Sequence, residues 1–170
     1  MPEPCHGLFL CTGNSARSIQ AEAILNREGQ GRFIAHSAGS RPPGTPNPFA
    51  LSMRVRDGFD PGFARSKSWD EFAAPGSSGP GAPHLDFIFT LCDPAAAEEC
   101  RFWPGHPVSA HWGLPDAAAM QGSDAGKAPA FAETWRALTR RIQAFCELPH
   151  TTIDAVTREA TLKDIGQDRA

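Results

Sequence analysis

The chain has 170 residues, of which 41% are hydrophobic and 21% are charged, and its formal net charge is −3. This length and composition suit one globular core, so we expect a single domain over residues 1–170. The sequence has no basic run and no long apolar segment, which argues against nucleic acids and membranes as partners. The N-terminus has no signal-peptide pattern, so we expect the protein in the cytoplasm.

The chain has five cysteines, an odd number: Cys5, Cys11, Cys92, Cys100 and Cys146. An odd count without a secretion signal argues against a disulfide framework. The lack of a Cys-x2-Cys pair argues against a structural zinc site, and we expect no metal centre of that kind. In a reducing compartment, the remaining uses of cysteine are catalysis, redox relay and core packing.

Strand-like and helix-like segments alternate from the N-terminus onward. Residues 7–10 are a short apolar run that predicts a first strand, and a helix pattern runs from about 16 to 28 and stops at Gly29. Residues 33–37 predict a second strand, and a helix with proline at its start spans about 48 to 57. The chain therefore begins as strand, loop, helix, strand and helix.

The second half of the chain continues this alternation. Residues 86–91 are the clearest buried strand, and residues 108–112 predict a weaker fourth strand. Five apolar residues share one face of a long amphipathic helix, namely Phe131, Trp135, Leu138, Ile142 and Phe145. Ile153, Val156 and Ala160 predict a last short helix.

The alternation predicts an α/β fold, with a mostly parallel sheet and helices on both of its faces. Ligands of such sheets bind beyond the carboxyl ends of the strands. The loop that begins at Cys11 leaves the first strand at such an end, so it is the first candidate for a ligand site. Residues 73–83, rich in proline and glycine, are interpreted as a flexible loop inside the one domain.

The loop after the first strand joins Cys11 to an arginine six residues later, with small polar residues between them. A tetrahedral oxyanion needs several converging donors, and a loop that opens a helix supplies backbone N–H groups and the positive end of the helix dipole. Arg17 adds a planar fork that binds two oxygens. Gly13 and Asn14 tolerate the left-handed backbone of such a loop. The predicted oxyanion-binding residues are Thr12, Gly13, Asn14, Ser15, Ala16, Arg17 and Ser18.

The same field should stabilise a thiolate at Cys11. We therefore expect the pKa of this thiol to lie well below its free value of about 8.5, with Ser18 able to donate a hydrogen bond to the sulfur. The alternative is a buried strand-end cysteine beside a surface arginine, since a bare Cys-x5-Arg pair arises readily by chance.

The run from Leu8 to Ser18, with Ala21 and Glu22 after it, resembles the low-molecular-weight protein tyrosine phosphatase superfamily, and most of all its arsenate reductase branch. Five further segments match that branch, namely residues 37–40, 65–68, 90–93, 103–105 and 111–116. The resemblance extends from about Gly7 to Pro149. It implies a four-stranded parallel sheet flanked by helices on both faces.

The resemblance also implies roles for individual residues. Cys11 resembles the nucleophile, Arg17 the oxyanion clamp, and Asp116 the acid that protonates the departing oxygen. The family usually has Asp-Pro at the acid, whereas this chain has Asp116 followed by Ala117. This difference bears on how Asp116 is placed, but the carboxyl group is kept.

Two activities fit these roles. Both begin with the attack of Cys11 on the oxyanion, and they differ in the step that follows. A phosphatase hydrolyses phosphate monoesters, resolving a cysteinyl-phosphate with water, whereas an arsenate reductase needs a second thiol to attack the sulfur of Cys11. The arsenate reductases place a thiol pair where this chain has Cys92 and Cys100, which implies a relay from Cys11 to Cys92 to Cys100. Cys92, at the end of an apolar strand, also fits simple core packing.

The complete lack of tyrosine favours the reductase, because phosphatases of this fold usually carry tyrosines after the acid. We expect no tightly bound cofactor and an external thiol reductant, either thioredoxin or glutaredoxin with glutathione. The substrate is then arsenate or a phosphate-like oxyanion.

Asn14, Glu22 and Ser37 resemble a potassium site of some thioredoxin-coupled reductases, and a network that supports the loop explains them equally well. A third reading is a non-catalytic oxyanion-binding module.

Overall fold

The structure is a computed structural model, and it describes residues 3–56, 58, 65–72, 84–92, 107–117 and 124–167. Cys100, the predicted loop over residues 73–83 and the matching segment at residues 103–105 lie outside the described residues.

Four parallel strands form one sheet. They are β1 (Cys5–Cys11), β2 (Phe33–Gly39), β3 (Phe87–Thr90) and β4 (Val108–His111), and they lie in the order β2-β1-β3-β4. The predicted four-stranded parallel sheet is thereby confirmed. The β1 strand is central and its last five residues are buried, which explains its apolar run.

Four helices and one short turn complete the described structure. The helices are α1 (Arg17–Glu28), α2 (Pro48–Arg56), α3 (Asp124–Cys146) and α4 (Ala155–Gly166), and a 3-10 turn spans Trp69–Glu71. The predicted start and end of the first helix lie within one residue of α1. None of the helices in the described ranges is long and apolar enough to cross a bilayer.

The main core lies on one face of the sheet, beneath α1, α3 and α4. All five apolar residues predicted on one face of α3 are buried, as Phe131, Trp135, Leu138, Ile142 and Phe145. The opposite face carries a second cluster in which Leu8, Leu10 and Ile88 pack with Trp69 of the 3-10 turn and with Phe72, which follows the turn. The alternation of side chains along β1 divides its apolar residues between the two clusters.

The last helix exists as predicted, but the predicted face is wrong. Val156 is 80% exposed and Ala160 is also exposed. The buried residue is Leu162, whose carbonyl accepts a hydrogen bond from the Trp112 indole at 2.8 Å. Contact with the indole that follows β4, rather than the apolar pattern of the helix itself, decides which face of α4 is buried.

Candidate active site

The site begins where β1 ends and α1 starts. Cys11 is the last residue of β1, is buried, and pairs in register with Gly39 of β2. The next five residues form a loop, and Arg17 is the first residue of α1. The N-terminus of a 12-residue helix therefore faces the carboxyl edge of the sheet, which is the arrangement that binds anions.

The loop turns its backbone N–H groups toward one side. Three of its carbonyls accept hydrogen bonds from outside the loop: Thr12 from the backbone N of Arg41 at 2.9 Å, Gly13 from Ser66 Oγ at 3.2 Å, and Ser15 from the backbone N of Asn47 at 2.8 Å. In a planar trans peptide the next N–H group points opposite to the carbonyl, and the described chain has no cis peptide. The N–H groups that follow these three carbonyls therefore point away from these outside partners.

Asn14 is the residue that closes the turn. Its φ is 45°, in the left-handed region, and its side chain is fully buried. The amide donates to Ser18 Oγ at 2.8 Å and accepts from the backbone N of Lys67 at 2.8 Å. The sequence predicted left-handed tolerance at Gly13 and Asn14, and only Asn14 uses it.

Gly39, at the end of β2, lies against the back of the loop. A Cβ there would lie 2.5 Å from the Thr12 carbonyl oxygen and 2.9 Å from the Asn14 backbone nitrogen. Its own N–H group donates to the Lys67 carbonyl at 2.9 Å. Only glycine allows β2 and the loop to approach this closely.

Arg17 links the loop to the exits of the other strands. Its Nη1 donates to the carbonyl of Leu114 at 2.8 Å and to that of Leu91 at 3.4 Å. Its Nη2 lies 3.5 Å from Asp116 Oδ2. The guanidinium is thus held in place from two sides at the mouth of the loop, as an oxyanion clamp requires.

Asp116 reaches the site on the segment that follows β4. Its side chain is 42% exposed, so it lies at the surface of the site rather than inside the core. The next residue, Ala117, is buried in a small cluster with Ala16 of the loop. That packing places Asp116 beside the loop, although Ala117 stands where the family usually has proline.

Cys92 lies in the same site as Cys11. The two side chains are in contact and both are buried. Thr12 Oγ1 lies 3.5 Å from Cys92 Sγ, within hydrogen-bond reach of a sulfur atom. The structure therefore brings together Cys11, Arg17, Asp116 and Cys92.

The pKa of Cys11 differs from the sequence expectation. The hydrogen bond with the Cys92 thiol raises the pKa of Cys11 above its usual value, and burial raises it further. Arg17 and the backbone N–H group of Thr12 lower it and do not outweigh these causes. The expected depression was wrong in this thiol pair because a residue 81 positions along the chain opposes the loop's field.

A protein cation lies beside Glu22 and Ser37, two of the three residues of the predicted potassium site. Lys67 Nζ lies 3.4 Å from Glu22 Oε2 and 3.4 Å from Ser37 Oγ, and Ser37 donates a short hydrogen bond to Glu22. Burial lowers the pKa of Lys67, and Glu22 opposes that effect. The Lys67 ammonium thus places a positive charge beside the Glu22 carboxylate.

Cys11, Arg17, Cys92 and Asp116 line one cavity of about 1060 Å³. Its floor is the loop from Cys11 to Arg17, and Cys92 and Asp116 lie on its wall. The remaining wall is made by His111 and by side chains of the last two helices, including Arg141 and Lys163. This volume is large enough for a tetrahedral oxyanion.

The model of the low molecular weight phosphotyrosine protein phosphatase family matches residues 6–159. The chain belongs to this family. It is also 32% identical over 140 residues to an arsenate reductase of Bacillus licheniformis, an alignment that covers 82% of this chain and 93% of that protein.

Solved structures show the same fold at low sequence identity. The tyrosine phosphatase Wzb of Escherichia coli K30, in complex with sulphate, superposes with a TM-score of 0.64 at 19% identity and covers 84% of this chain and 96% of that one. A thioredoxin-dependent arsenate reductase of Corynebacterium glutamicum gives a TM-score of 0.54 at 22% identity, covering 84% of this chain and 64% of that one. Both a phosphatase and a reductase are thus built on this low-molecular-weight phosphatase fold.

Sequence reasoning missed several supports of this phosphatase-family site. Gly39 and Lys67 stood in segments that matched the family, but the close approach and the buried charge depend on contacts across the fold. Arg141 gave no signal, since it is one of several arginines on α3. The structure shows that the Arg141 side chain is buried, which is rare for an arginine and which the sequence alone does not reveal.

Proposed function

We propose that the chain reduces arsenate to arsenite, with Cys11 as nucleophile and Cys92 as the second thiol. The observation that carries this proposal is the contact between the two buried thiols in one cavity with Arg17 and Asp116. A phosphatase needs one thiol in such a cavity, whereas a reductase needs a second thiol within reach of the first. The 32% identical relative named as an arsenate reductase supports the same choice.

In the first step, Cys11 loses its proton, its sulfur attacks arsenic and an As–S bond forms. Arg17 and the backbone N–H groups of the loop stabilise the negative charge on the oxyanion. Asp116 gives its proton to the departing oxygen, which leaves as water. Because Arg17 Nη2 lies beside Asp116, the clamp and the acid can act on the same oxyanion.

In the second step, Cys92 loses its proton and attacks the sulfur of Cys11. An S–S bond forms, the As–S bond breaks, and its electron pair goes to arsenic, which leaves as arsenite. One arsenate and two thiols therefore give one arsenite, one disulfide and one water. Thr12 Oγ1, 3.5 Å from Cys92 Sγ, is placed to donate a hydrogen bond to the Cys92 thiolate.

The relay then passes to Cys100, whose thiolate attacks Cys92 and releases Cys11. The resulting Cys92–Cys100 disulfide is reduced by an external dithiol, and we favour thioredoxin over glutaredoxin with glutathione because a relay pair presents an intramolecular disulfide. The fold shared with a thioredoxin-dependent reductase is consistent with this choice. We place the enzyme in the cytoplasm as one domain over residues 1–170, in keeping with Cys5, Cys11, Cys92 and Cys146 forming no disulfide with one another in the described part of the chain.

A turnover assay with arsenate, thioredoxin, thioredoxin reductase and NADPH tests this function. Cys11→Ser, Cys92→Ser and Cys100→Ser should each abolish turnover, while Cys146→Ser and Cys5→Ser serve as matched controls that keep it. After arsenate treatment without reductant, the mass of the wild type should fall by two hydrogens as a disulfide forms.

The family name supports phosphate-monoester hydrolysis as the second candidate, since Cys11, Arg17 and Asp116 suffice for it. The two functions separate in the same assay. Wild-type protein that cleaves aryl phosphates efficiently and does not turn over arsenate would establish the phosphatase. Normal turnover by Cys92→Ser with thioredoxin would rule out the relay.

A further inference from the structure

A second arginine, Arg141, binds the start of the segment that carries Asp116. Arg141 projects from α3, is only 6% exposed, and lines the cavity. Its Nη1 donates to the carbonyl of Trp112 at 2.9 Å and to that of Gly113 at 3.4 Å. These are consecutive carbonyls, and they lie three and four residues before Asp116.

The two arginines of the site hold the two ends of one short segment. Arg141 binds its start at Trp112 and Gly113, and Arg17 binds its end at Leu114 and Asp116. Two further hydrogen bonds fix the start of the segment at Trp112. The backbone N of Trp112 donates to Thr90 at 2.7 Å, and the indole donates to Leu162 of α4.

We propose that Arg141 is a positioning residue that sets the place of Asp116 by fixing the carbonyls of Trp112 and Gly113. This inference rests on the proposed role of Asp116 as the acid of the first step. We assign Arg141 to the segment because its Nη1 donates to two of the segment's backbone carbonyls. The acid must lie within hydrogen-bond reach of the departing oxygen, so a small shift of the segment weakens proton transfer.

The dependence of rate on the leaving group separates positioning from a general loss of structure. An aryl phosphate with a good leaving group, 2,4-dinitrophenyl phosphate, needs little proton donation, whereas phenyl phosphate needs it fully. In Arg141→Met, kcat for phenyl phosphate should fall about 10-fold to 100-fold, and kcat for 2,4-dinitrophenyl phosphate by no more than about 3-fold. The inhibition constant of inorganic phosphate should stay unchanged, because Arg17 and the loop are intact.

The reference and control variants are chosen to read the same step. Asp116→Asn should show the same leaving-group dependence, and Arg141→Met should add little to it in the double variant, as expected when two residues act on one step. Arg141→Lys keeps a positively charged donor group and should recover part of the phenyl phosphate rate. Arg136→Met, on the same helix with a 60% exposed side chain, should match the wild type. Circular dichroism and the thermal midpoint establish that each variant is folded.

The same cycle is measured with arsenate, as the rate of disulfide formation in a single turnover. Equal losses on both aryl phosphates, or losses that add fully to those of Asp116→Asn, would overturn the inference about Arg141 alone. A lack of any effect in Asp116→Asn would overturn the proposed acid itself, and with it this inference. A weaker binding of phosphate by Arg141→Met would make Arg141 a ligand residue and contradict the positioning role.

Discussion

Cys11 and Cys92 pack against each other at the carboxyl ends of two neighbouring parallel strands, although 81 residues separate them in the chain. The pairing of β1 with β3 brings them there, since Leu10 pairs with Thr90 and the backbone N of Leu91 donates to Leu10. The sheet register thus decides whether the nucleophile has a second thiol within reach.

Removal of the Cys92 thiol should lower the pKa of Cys11. The hydrogen bond with Cys92 is the largest cause that raises this pKa. Without it, burial is the main cause that still raises the pKa, and Arg17 is the main cause that lowers it. In Cys92→Ala, the pH midpoint of Cys11 alkylation by iodoacetamide should move to lower pH, because the thiolate forms more readily. Mass mapping of the labelled peptide gives the midpoint for Cys11 alone.

The control for this experiment is Cys146→Ala, which removes a buried thiol outside the site. It should leave the midpoint of Cys11 unchanged. An unchanged or higher midpoint in Cys92→Ala would mean that a hydrogen bond with Cys92 does not raise the pKa of Cys11 in solution.

Gly39→Ala should destabilise the protein and impair the loop. The added methyl group would lie 2.5 Å from the Thr12 carbonyl oxygen, which is backbone and has no room to move away. We expect a loss of about 2–3 kcal/mol in the free energy of unfolding, measured with urea, and weaker binding of inorganic phosphate. Gly7→Ala is the matched control, because a Cβ there meets its nearest neighbour at 3.5 Å. Equal stability of the two variants would show that the loop has space at its back.

The regular elements and the loop could be predicted from the sequence because their signals are local. Strand β1 is a continuous apolar run, and the spacing of Phe131, Trp135 and Leu138 repeats with the period of a helix. The cysteine, the arginine and the turn-forming asparagine lie within seven residues, so their geometry follows from a strand, a turn and a helix.

The parts that could not be predicted depend on contacts between distant segments. The pKa of Cys11 is governed by Cys92, and the charge beside Glu22 comes from Lys67, 45 residues along the chain. Likewise, α4 buries Leu162 against Trp112 while Val156 is exposed, which a period within the helix does not reveal. Local patterns carry no information on which distant side chain fills a neighbouring space.

Lys67 should make the wild type independent of potassium. Its ammonium lies between Glu22 and Ser37, where the sequence suggested a bound cation. Thermal midpoints and arsenate turnover should therefore be equal in potassium chloride and sodium chloride at the same ionic strength. Lys67→Met leaves the partly buried Glu22 carboxylate without its cation and should cost about 3 kcal/mol of stability.

An exposed lysine provides the control for this variant. Lys163 pairs with Glu159 on the surface of α4, and Lys163→Met should change the free energy of unfolding by less than about 0.5 kcal/mol. A specific gain of wild-type stability in potassium chloride would contradict the assignment of the charge to Lys67.

His36 should make the protein less stable in mild acid. Burial is the main reason that the pKa of His36 is lowered to about 4, and the neighbouring His6 and Lys67 lower it further. The unfolded chain has an ordinary histidine pKa of about 6.5, so between these values it binds a proton that the folded state does not. The contribution is fully present above pH 6.5 and is lost as the pH falls to about 4.

We expect this loss to be about 1–2 kcal/mol once solvent screening of the partly exposed ring is allowed for. His36→Gln removes the titration, so its free energy of unfolding should change less than that of the wild type between pH 6.5 and pH 4. His84→Gln, at a 65% exposed ring, should keep the wild-type slope. Urea titrations at four or five pH values give the slopes directly, and parallel curves for His36→Gln and the wild type would show that this ring accepts its proton as readily in the folded state as in the unfolded chain.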